Sequence, residues 1–420
     1  MKQKFIDAYH KIRETNILSN FLNLSSIQLS NILLLMLIFP IIARKIGIEA
    51  FGFVTLANTF ATLAGVIINY GINQSGIRDV AVNIKDREKL SIIFFNALWI
   101  RTIIFIIYLI FLFGLQWSGM KYYNLIILAT PLVIAEILNP LFLFIGTERL
   151  KIYNISNVIT KVVSILSLII FIKSAADAGW VNFILGLASV ITYLGLLIYS
   201  IREFKLEFNF PIRSDLLKLG TDNFYLTANN ISVQLQQSIM IFALGHLGNA
   251  QWLGAYALGD KVIQTCRMLI ISVSNAMYPK SVQLYQQGTR IWALYRKKMK
   301  WLITGVFFLG SVSIFVLADF IIYVISGQRD HTAVIFLRIM CWVPTIAALN
   351  FLNVIDQLLK NNTVYIFLIA IILLGVSLLL AFMLFSSGWY ILFGSFTLIL
   401  EICGLIMYEY TIKKPSIHHA

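Results

Sequence analysis

The sequence predicts an all-α integral membrane protein, with twelve transmembrane helices in two six-helix bundles related by a pseudo-two-fold axis as a parallel repeat. Three observations predict it. The first is composition: 59% of the 420 residues are hydrophobic and 12% charged, against about 45–50% and about 25% in soluble domains. So little charge cannot cover a water-facing surface, which excludes a soluble enzyme, a nucleic-acid-binding domain and a disulfide scaffold as the main reading. The second is a series of apolar runs, each near the roughly 20 residues a helix needs to cross about 30 Å of hydrocarbon. The third is an internal similarity at an offset close to half the chain.

In chain order the runs fall near 18–42, 50–73, 90–116, 120–146, 153–173 and 179–201, then 217–245, 250–281, 299–325, 331–358, 362–386 and 388–410. The expected organisation is a cytoplasmic N-terminal segment (1–17), a first bundle (18–201), a cytoplasmic linker (202–216), a second bundle (217–410) and a cytoplasmic tail (411–420). The basic residues set the orientation. Of the 33 Lys and Arg, 23 fall in stretches on one side of the twelve runs, 5 on the other (Arg44, Lys45, Lys121, Lys173 and Arg329) and 5 within them. Lys and Arg collect in cytoplasmic loops, so both termini are expected in the cytoplasm, and the net charge of +14 records topology rather than nucleic-acid binding. The first run carries Arg44-Lys45 after it rather than a small-residue cleavage site, so it reads as a span and not as a cleaved leader. The stretch from Lys280 to Lys300, basic and aromatic, reads as an amphipathic linker along the inner leaflet.

The repeat aligns 41–57 with 241–259. Gly47 pairs with Gly248 and Gly52 with Gly254, with two one-residue insertions in the second copy. Each copy sits between the first and second helix of a six-helix unit. Transporters duplicated this way place their binding site between the halves near the midplane.

Polar residues inside the runs carry the functional information. In the seventh run Asn223, Thr227, Asn230, Gln234 and Gln237 share one helix face, and Asn16, Asn20, Asn23 and Ser30 do so in the first. The eighth run carries Asp260, Gln264, Arg267, Ser274 and Tyr278; the second carries Asn58, Thr62, Gly65 and Asn69 at matching repeat positions. An amide facing lipid has no water to bond, so the four stripes turn inward. Interhelical hydrogen bonds alone would suit one or two amides; four stripes in equivalent helices suit a hydrated cavity.

Charges embedded in the runs are Arg101, Lys161, Lys261, Arg267 and Arg338 against Glu136, Asp222, Asp260, Asp319, Asp356 and Glu401. An ionised side chain at mid-bilayer costs at least about 2.5–3.5 kcal/mol, so its default reading is functional or paired. Arg267 lies two turns from Asp260 on the same face with Gln264 between, and this trio is the leading site candidate. An arginine fork suits a phosphate or carboxylate, and amides suit sugar hydroxyls. Cys266, Cys341 and Cys403 show no ligand spacing, and no metal site, catalytic residue or nucleotide-binding motif is read.

Three stretches carry a family resemblance: Ile46-Gly47-Ile48-Glu49-Ala50-Phe51-Gly52, the run from Asn69-Tyr70-Gly71 to Arg78-Asp79-Val80-Ala81, and Leu253-Gly254-Ala255-Tyr256-Ala257-Leu258-Gly259-Asp260-Lys261. The chain resembles the polysaccharide-transporter branch of the multidrug/oligosaccharidyl-lipid/polysaccharide exporter superfamily. Within that branch it is similar to the O-antigen flippases called Wzx. The resemblance implies a V-shaped pair of bundles around a central cavity lined by the first, second, seventh and eighth helices. It implies a non-enzymatic flippase of the bacterial inner membrane, without a resident cofactor. Such a protein moves an undecaprenyl-pyrophosphate-linked oligosaccharide to the periplasmic leaflet by alternating access. Proton or sodium coupling would fall to Asp260, Glu136 or Glu401. Membrane lipids, a polysaccharide polymerase and a chain-length regulator are the expected partners, and nucleic acid is not. The competing readings are a cation-coupled multidrug exporter of the same superfamily and a polytopic polysaccharide polymerase; the embedded arginines argue against the first, and short periplasmic breaks against the second.

Overall fold

The computed structural model describes Ile32 and residues 36–412, apart from 118, 120, 121 and 361. The stripe of Asn16, Asn20, Asn23 and Ser30 lies outside the described residues. The first bundle comprises α1 (36–46), α2 (Ile48–Asn69), α3 (Ile72–Val82), α4 (Arg87–Trp117), α5 (Tyr123–Leu128), α6 (Thr130–Leu138), α7 (Leu141–Gly146), α8 (Leu150–Phe171) and α9 (Trp180–Glu203). The second comprises α10 (Arg213–Leu247), α11 (Ala250–Gln287), α12 (Thr289–Ser326), α13 (His331–Met340), α14 (Val343–Leu359), α15 (Thr363–Ser386) and α16 (Phe396–Ile412). No strand occurs among the described residues.

Nine helical stretches of the described residues are long and apolar enough to cross a membrane. α10 and α11, of 35 and 38 residues, have the length, but their polar stripes dilute the apolarity. With α10 and α11 the described residues hold eleven of the twelve expected crossings, the first run (18–42) lying mostly outside them, and the protein is a multi-pass membrane protein.

The run at 120–146 is broken into α5, α6 and α7. Pro131 and Pro140 lie at the breaks, where proline removes a backbone donor and crowds the preceding turn. The carbonyls freed at the second break are taken by Arg101 of α4. Its Nη1 donates to the Asn139 carbonyl at 2.8 Å and the Ile137 carbonyl at 3.4 Å. The tenth run is likewise divided, into α13 and α14, with Pro344 in the first turn of α14.

The stretch from Lys280 to Lys300 forms no separate interfacial element. α11 runs on to Gln287, the chain turns at Gly288, and α12 begins at Thr289. α12 has 38 residues, about 57 Å at 1.5 Å per residue, so it exceeds the hydrocarbon thickness. Its first turns are held by Asp356 of α14, which accepts from Trp292 Nε1 at 2.7 Å and pairs with Arg296 at 3.2 Å and Lys360 at 2.8 Å. Burying Trp292 in this way draws the segment onto the bundle.

The bundles meet through α2, which packs along both α10 and α11. At the closest point a Cβ on Gly52 would stand 2.6 Å from the Gly254 nitrogen, and one on Gly254 would stand 2.2 Å from the Ile48 carbonyl oxygen. Only glycines permit this approach. Nearby, Arg44 Nε donates to the Val324 carbonyl in the last turn of α12, 2.9 Å away. Its side chain packs on Gly327, the left-handed residue that closes α12. Lys45 Nζ donates to the carbonyls of Ile169 and Ile172 at 2.6 and 2.7 Å, at the end of α8. The linker after α9 is pinned to the first bundle. Phe208 packs edge-on against Phe95, Phe210 stacks on Trp99, and the Glu207 amide donates to Ser91 Oγ at 3.0 Å.

Candidate functional site

The second bundle holds a half-open cavity of about 420 Å³ between α10, α11, α14, α15 and α16. Tyr256, Asp260, Gln264 and Arg267 of α11 line it, at spacings that put them on one helix face. Arg267 Nη2 donates to Glu401 Oε2 of α16 at 3.0 Å, and the two side chains are 23% and 20% exposed. Gln264 Nε2 donates to Asp260 Oδ2 at 2.7 Å, and Gln264 Oε1 accepts from Lys261 Nζ at 3.3 Å. Asp260 and Lys261 are sequence neighbours whose side chains diverge, and Gln264 bridges them. Lys261 Nζ also lies 4.8 Å from the ring centroid of Phe39 on α1, so it spans the two bundles. The Tyr256 and Thr397 hydroxyls meet at 3.0 Å.

The first bundle holds two adjoining hollows, of about 360 and 270 Å³, that share Asn58 and Leu132 as a common wall. The larger is lined by Thr62, Gly65, Asn69 and Glu136, with Asn230 reaching in from α10. The smaller carries Asn157, Thr160, Lys161, Asn182 and Tyr193. Asn182 fixes the shared wall: its Nδ2 donates to the Val54 carbonyl at 2.9 Å, while its Oδ1 accepts from Asn58 Nδ2 at 3.4 Å.

The structure thus brings Asp260, Gln264, Arg267, Gln237 and Glu401 to one cavity, and Asn58, Asn69, Asn230 and Glu136 to another. Other candidates lie elsewhere. Arg101 is wholly buried in the break between α6 and α7. Its single guanidinium satisfies backbone carbonyls there, so it is absent from the cavity walls. Arg338 sits at the outer edge of the second bundle, 43% exposed, 3.6 Å from Asp319 and over the Phe315 ring. Asn223 is packed where α10 crosses the α2–α3 turn at Gly71, and Gln234 Nε2 donates to Ser238 Oγ of its own helix at 3.2 Å. Sequence reasoning missed Gln236, whose Nε2 donates to the Ala370 carbonyl at 2.7 Å, because it stands off the α10 stripe. It also missed Asn73 and Gln74, which line the larger first-bundle hollow. These two sit in the polar run that follows the second span, and that run was the available signal.

Residues 17–285 match the family described as "Polysaccharide biosynthesis protein". The chain belongs to this family. All three stretches that carry the resemblance fall inside the match. The chain is 23% identical over 349 residues to the candidate O-antigen transporter of Escherichia coli (strain K12), covering 82% of this chain and 83% of that one. It is 24% identical over 285 residues to its counterpart in Shigella dysenteriae, covering 66% and 71%. Among solved structures, the fold is similar to a multidrug resistance MATE family transporter of the MOP superfamily in its inward-facing conformation. There the TM-score is 0.71 and the identity 13%, over 92% of this chain and 98% of that one. A MOP superfamily transporter from Pyrococcus furiosus is similar at a TM-score of 0.65 and 14% identity, over 94% and 96%. These likenesses bear out the all-helical, two-bundle fold.

Proposed function

We propose that this protein is a flippase. It moves an undecaprenyl-pyrophosphate-linked oligosaccharide repeat unit, of O-antigen or a similar surface polysaccharide, from the cytoplasmic to the periplasmic leaflet of the bacterial inner membrane. The observation that carries the reading is the Arg267–Glu401 pair on the wall of a 420 Å³ cavity in the second bundle, together with the amide-lined hollows of the first. An arginine fork can take a diphosphate oxygen pair, and amides can take sugar hydroxyls. The names of the Escherichia coli and Shigella dysenteriae relatives support the same substrate class.

The basic-residue count supports cytoplasmic termini, which would put the α1–α2 and α10–α11 turns on the periplasmic side. Close packing at Gly52 and Gly254 then closes that side. Transport by alternating access would part this contact while the opposite end closes. Any proton or sodium coupling would fall to Asp260, Glu136 or Glu401. Arg267 weighs against a cation-coupled drug exporter, whose cavity would favour acids and aromatics alone.

Deleting the gene should strand lipid-linked repeat units on the inner leaflet and remove the surface polysaccharide, and the intact gene should restore it. Normal polymer in the deletion refutes the reading, and raised drug sensitivity in its place favours the exporter.

A further inference from the structure

We infer that the larger hollow of the first bundle is a subsite for the hydroxyls of an uncharged sugar ring. It is built on the Glu136 carboxylate and the Asn69 amide, while the anionic end of the substrate goes to Arg267 in the second bundle. The inference rests on the flippase reading and divides its substrate between the two bundles.

The repeat provides the comparison. With Gly52 aligned on Gly254, Asn58 corresponds to Asp260, Thr62 to Gln264 and Gly65 to Arg267. The two copies differ at all three positions, most sharply in size at the last. The second copy places an arginine there. The first places a glycine, and the space is filled from α6 by Glu136: a Cβ on Gly65 would stand 3.0 Å from Glu136 Cγ. One bundle thus presents a guanidinium where the other presents a carboxylate.

Asn69 supplies a second, independent observation. It lines the same hollow and is only 9% exposed. Its Oδ1 accepts from the Asn73 amide at 3.1 Å, but its Nδ2 finds no protein acceptor. A buried donor left unsatisfied costs about 1–3 kcal/mol, and turning the amide into the hollow that Asn69 lines would bring it to a ligand oxygen. Neighbouring amides are already oriented: Asn73 Oδ1 faces Arg101 Nη2 at 3.4 Å, and Gln74 Oε1 accepts from Asn230 Nδ2 at 3.3 Å.

The ligand class follows from what these groups offer. A carboxylate only accepts and Asn69 Nδ2 only donates, whereas a sugar hydroxyl does both. A phosphate has only acceptor oxygens, and the described residues lining this hollow offer it no cationic side chain. The hollow, at about 360 Å³, lies within the roughly 300–1,000 Å³ of small-molecule sites. Its neighbour extends it past Asn58 with further amides and hydroxyls.

The test uses the full-length protein in lipid nanodiscs and two probes. Farnesyl diphosphate carries the diphosphate without sugar; the free oligosaccharide released from the host's surface polysaccharide carries the sugar without diphosphate. Glu136→Gln should weaken oligosaccharide binding roughly tenfold or more and leave farnesyl diphosphate within threefold or tighter. Arg267→Gln should do the reverse. Gly65→Ala keeps every polar group but presses on Glu136, so it should weaken the oligosaccharide as Glu136→Gln does, among variants that elute as one species. A Glu136→Gln protein that binds the oligosaccharide as the wild type does, or loses both probes equally, overturns the subsite. So does a wild type that binds farnesyl diphosphate alone. A wild type that binds neither probe, with polymer intact in the deletion strain, overturns the flippase reading itself.

Discussion

Gly52 and Gly254 are equivalent positions of the two repeats, and they touch each other backbone to backbone. A residue in contact with its own symmetry mate lies on the axis that relates them, so the pseudo-two-fold axis passes between α2 and α11 at this point. The same contact brings the bundles together at the α1–α2 and α10–α11 turns.

A methyl group at either position has nowhere to go, because the atoms it meets are backbone. Gly52→Ala should cost about 1–3 kcal/mol of the packed arrangement, as overpacking generally does. The expected outcome is a population with the two turns further apart. Distances between spin labels placed on those turns would lengthen, and unchanged distances would show that the contact does not hold this end shut.

Arg44 bears on the same end from another direction. Arg44 and Lys45 stand against the general bias of basic residues to one side, and the structure gives the reason: each plugs a helix C-terminus. A cation there is worth about 0.3–1 kcal/mol. Lys45 acts within its own bundle, whereas Arg44 reaches α12 of the other. Arg44→Ala should therefore shift the open-to-closed ratio of that end by roughly two- to fivefold. Lys45→Ala should lower thermal stability without moving that ratio. The same label pair reads both, and equal effects would remove the distinction.

Arg267→Ala should lower export of lipid-linked repeat units at least tenfold while the protein still inserts and purifies as one species. Arg267→Lys should recover only part, because an ammonium cannot reproduce the planar fork. Surface polysaccharide in a complemented deletion strain is the readout, with quantified membrane protein as control. Full complementation by the alanine variant takes Arg267 out of the site.

The spans were legible because hydrophobicity over 20 residues does not depend on neighbours. The stripe on α11 was legible for the same reason: periodicity alone put Asp260, Gln264 and Arg267 on one face. The stripe on α10 was half legible. Its face was evident, but which partner each amide meets is a tertiary matter. Asn223 is packed on the α2–α3 turn, Asn230 reaches the first-bundle hollow and Gln237 the second. The sequence set Arg101 beside Arg267 among the embedded charges, yet one serves a proline break and the other a cavity. Pro140 marked that break, but nothing local tied it to a residue on α4.

Asp356 shows how a charge near a helix end can be wholly structural. It is 2% exposed and is met by the Trp292 indole, Arg296 and Lys360. It lines none of the hollows described above. Removing one partner of a buried ion pair typically costs about 3–5 kcal/mol, because the remaining charges lose their compensation. Asp356→Ala should therefore lower the melting temperature of the purified protein markedly. Asp356→Asn, which keeps an acceptor for Trp292 Nε1, should lower it less. Export per folded molecule should stay near the wild-type value in both, and a selective loss of export at unchanged stability would instead place Asp356 in the transport path.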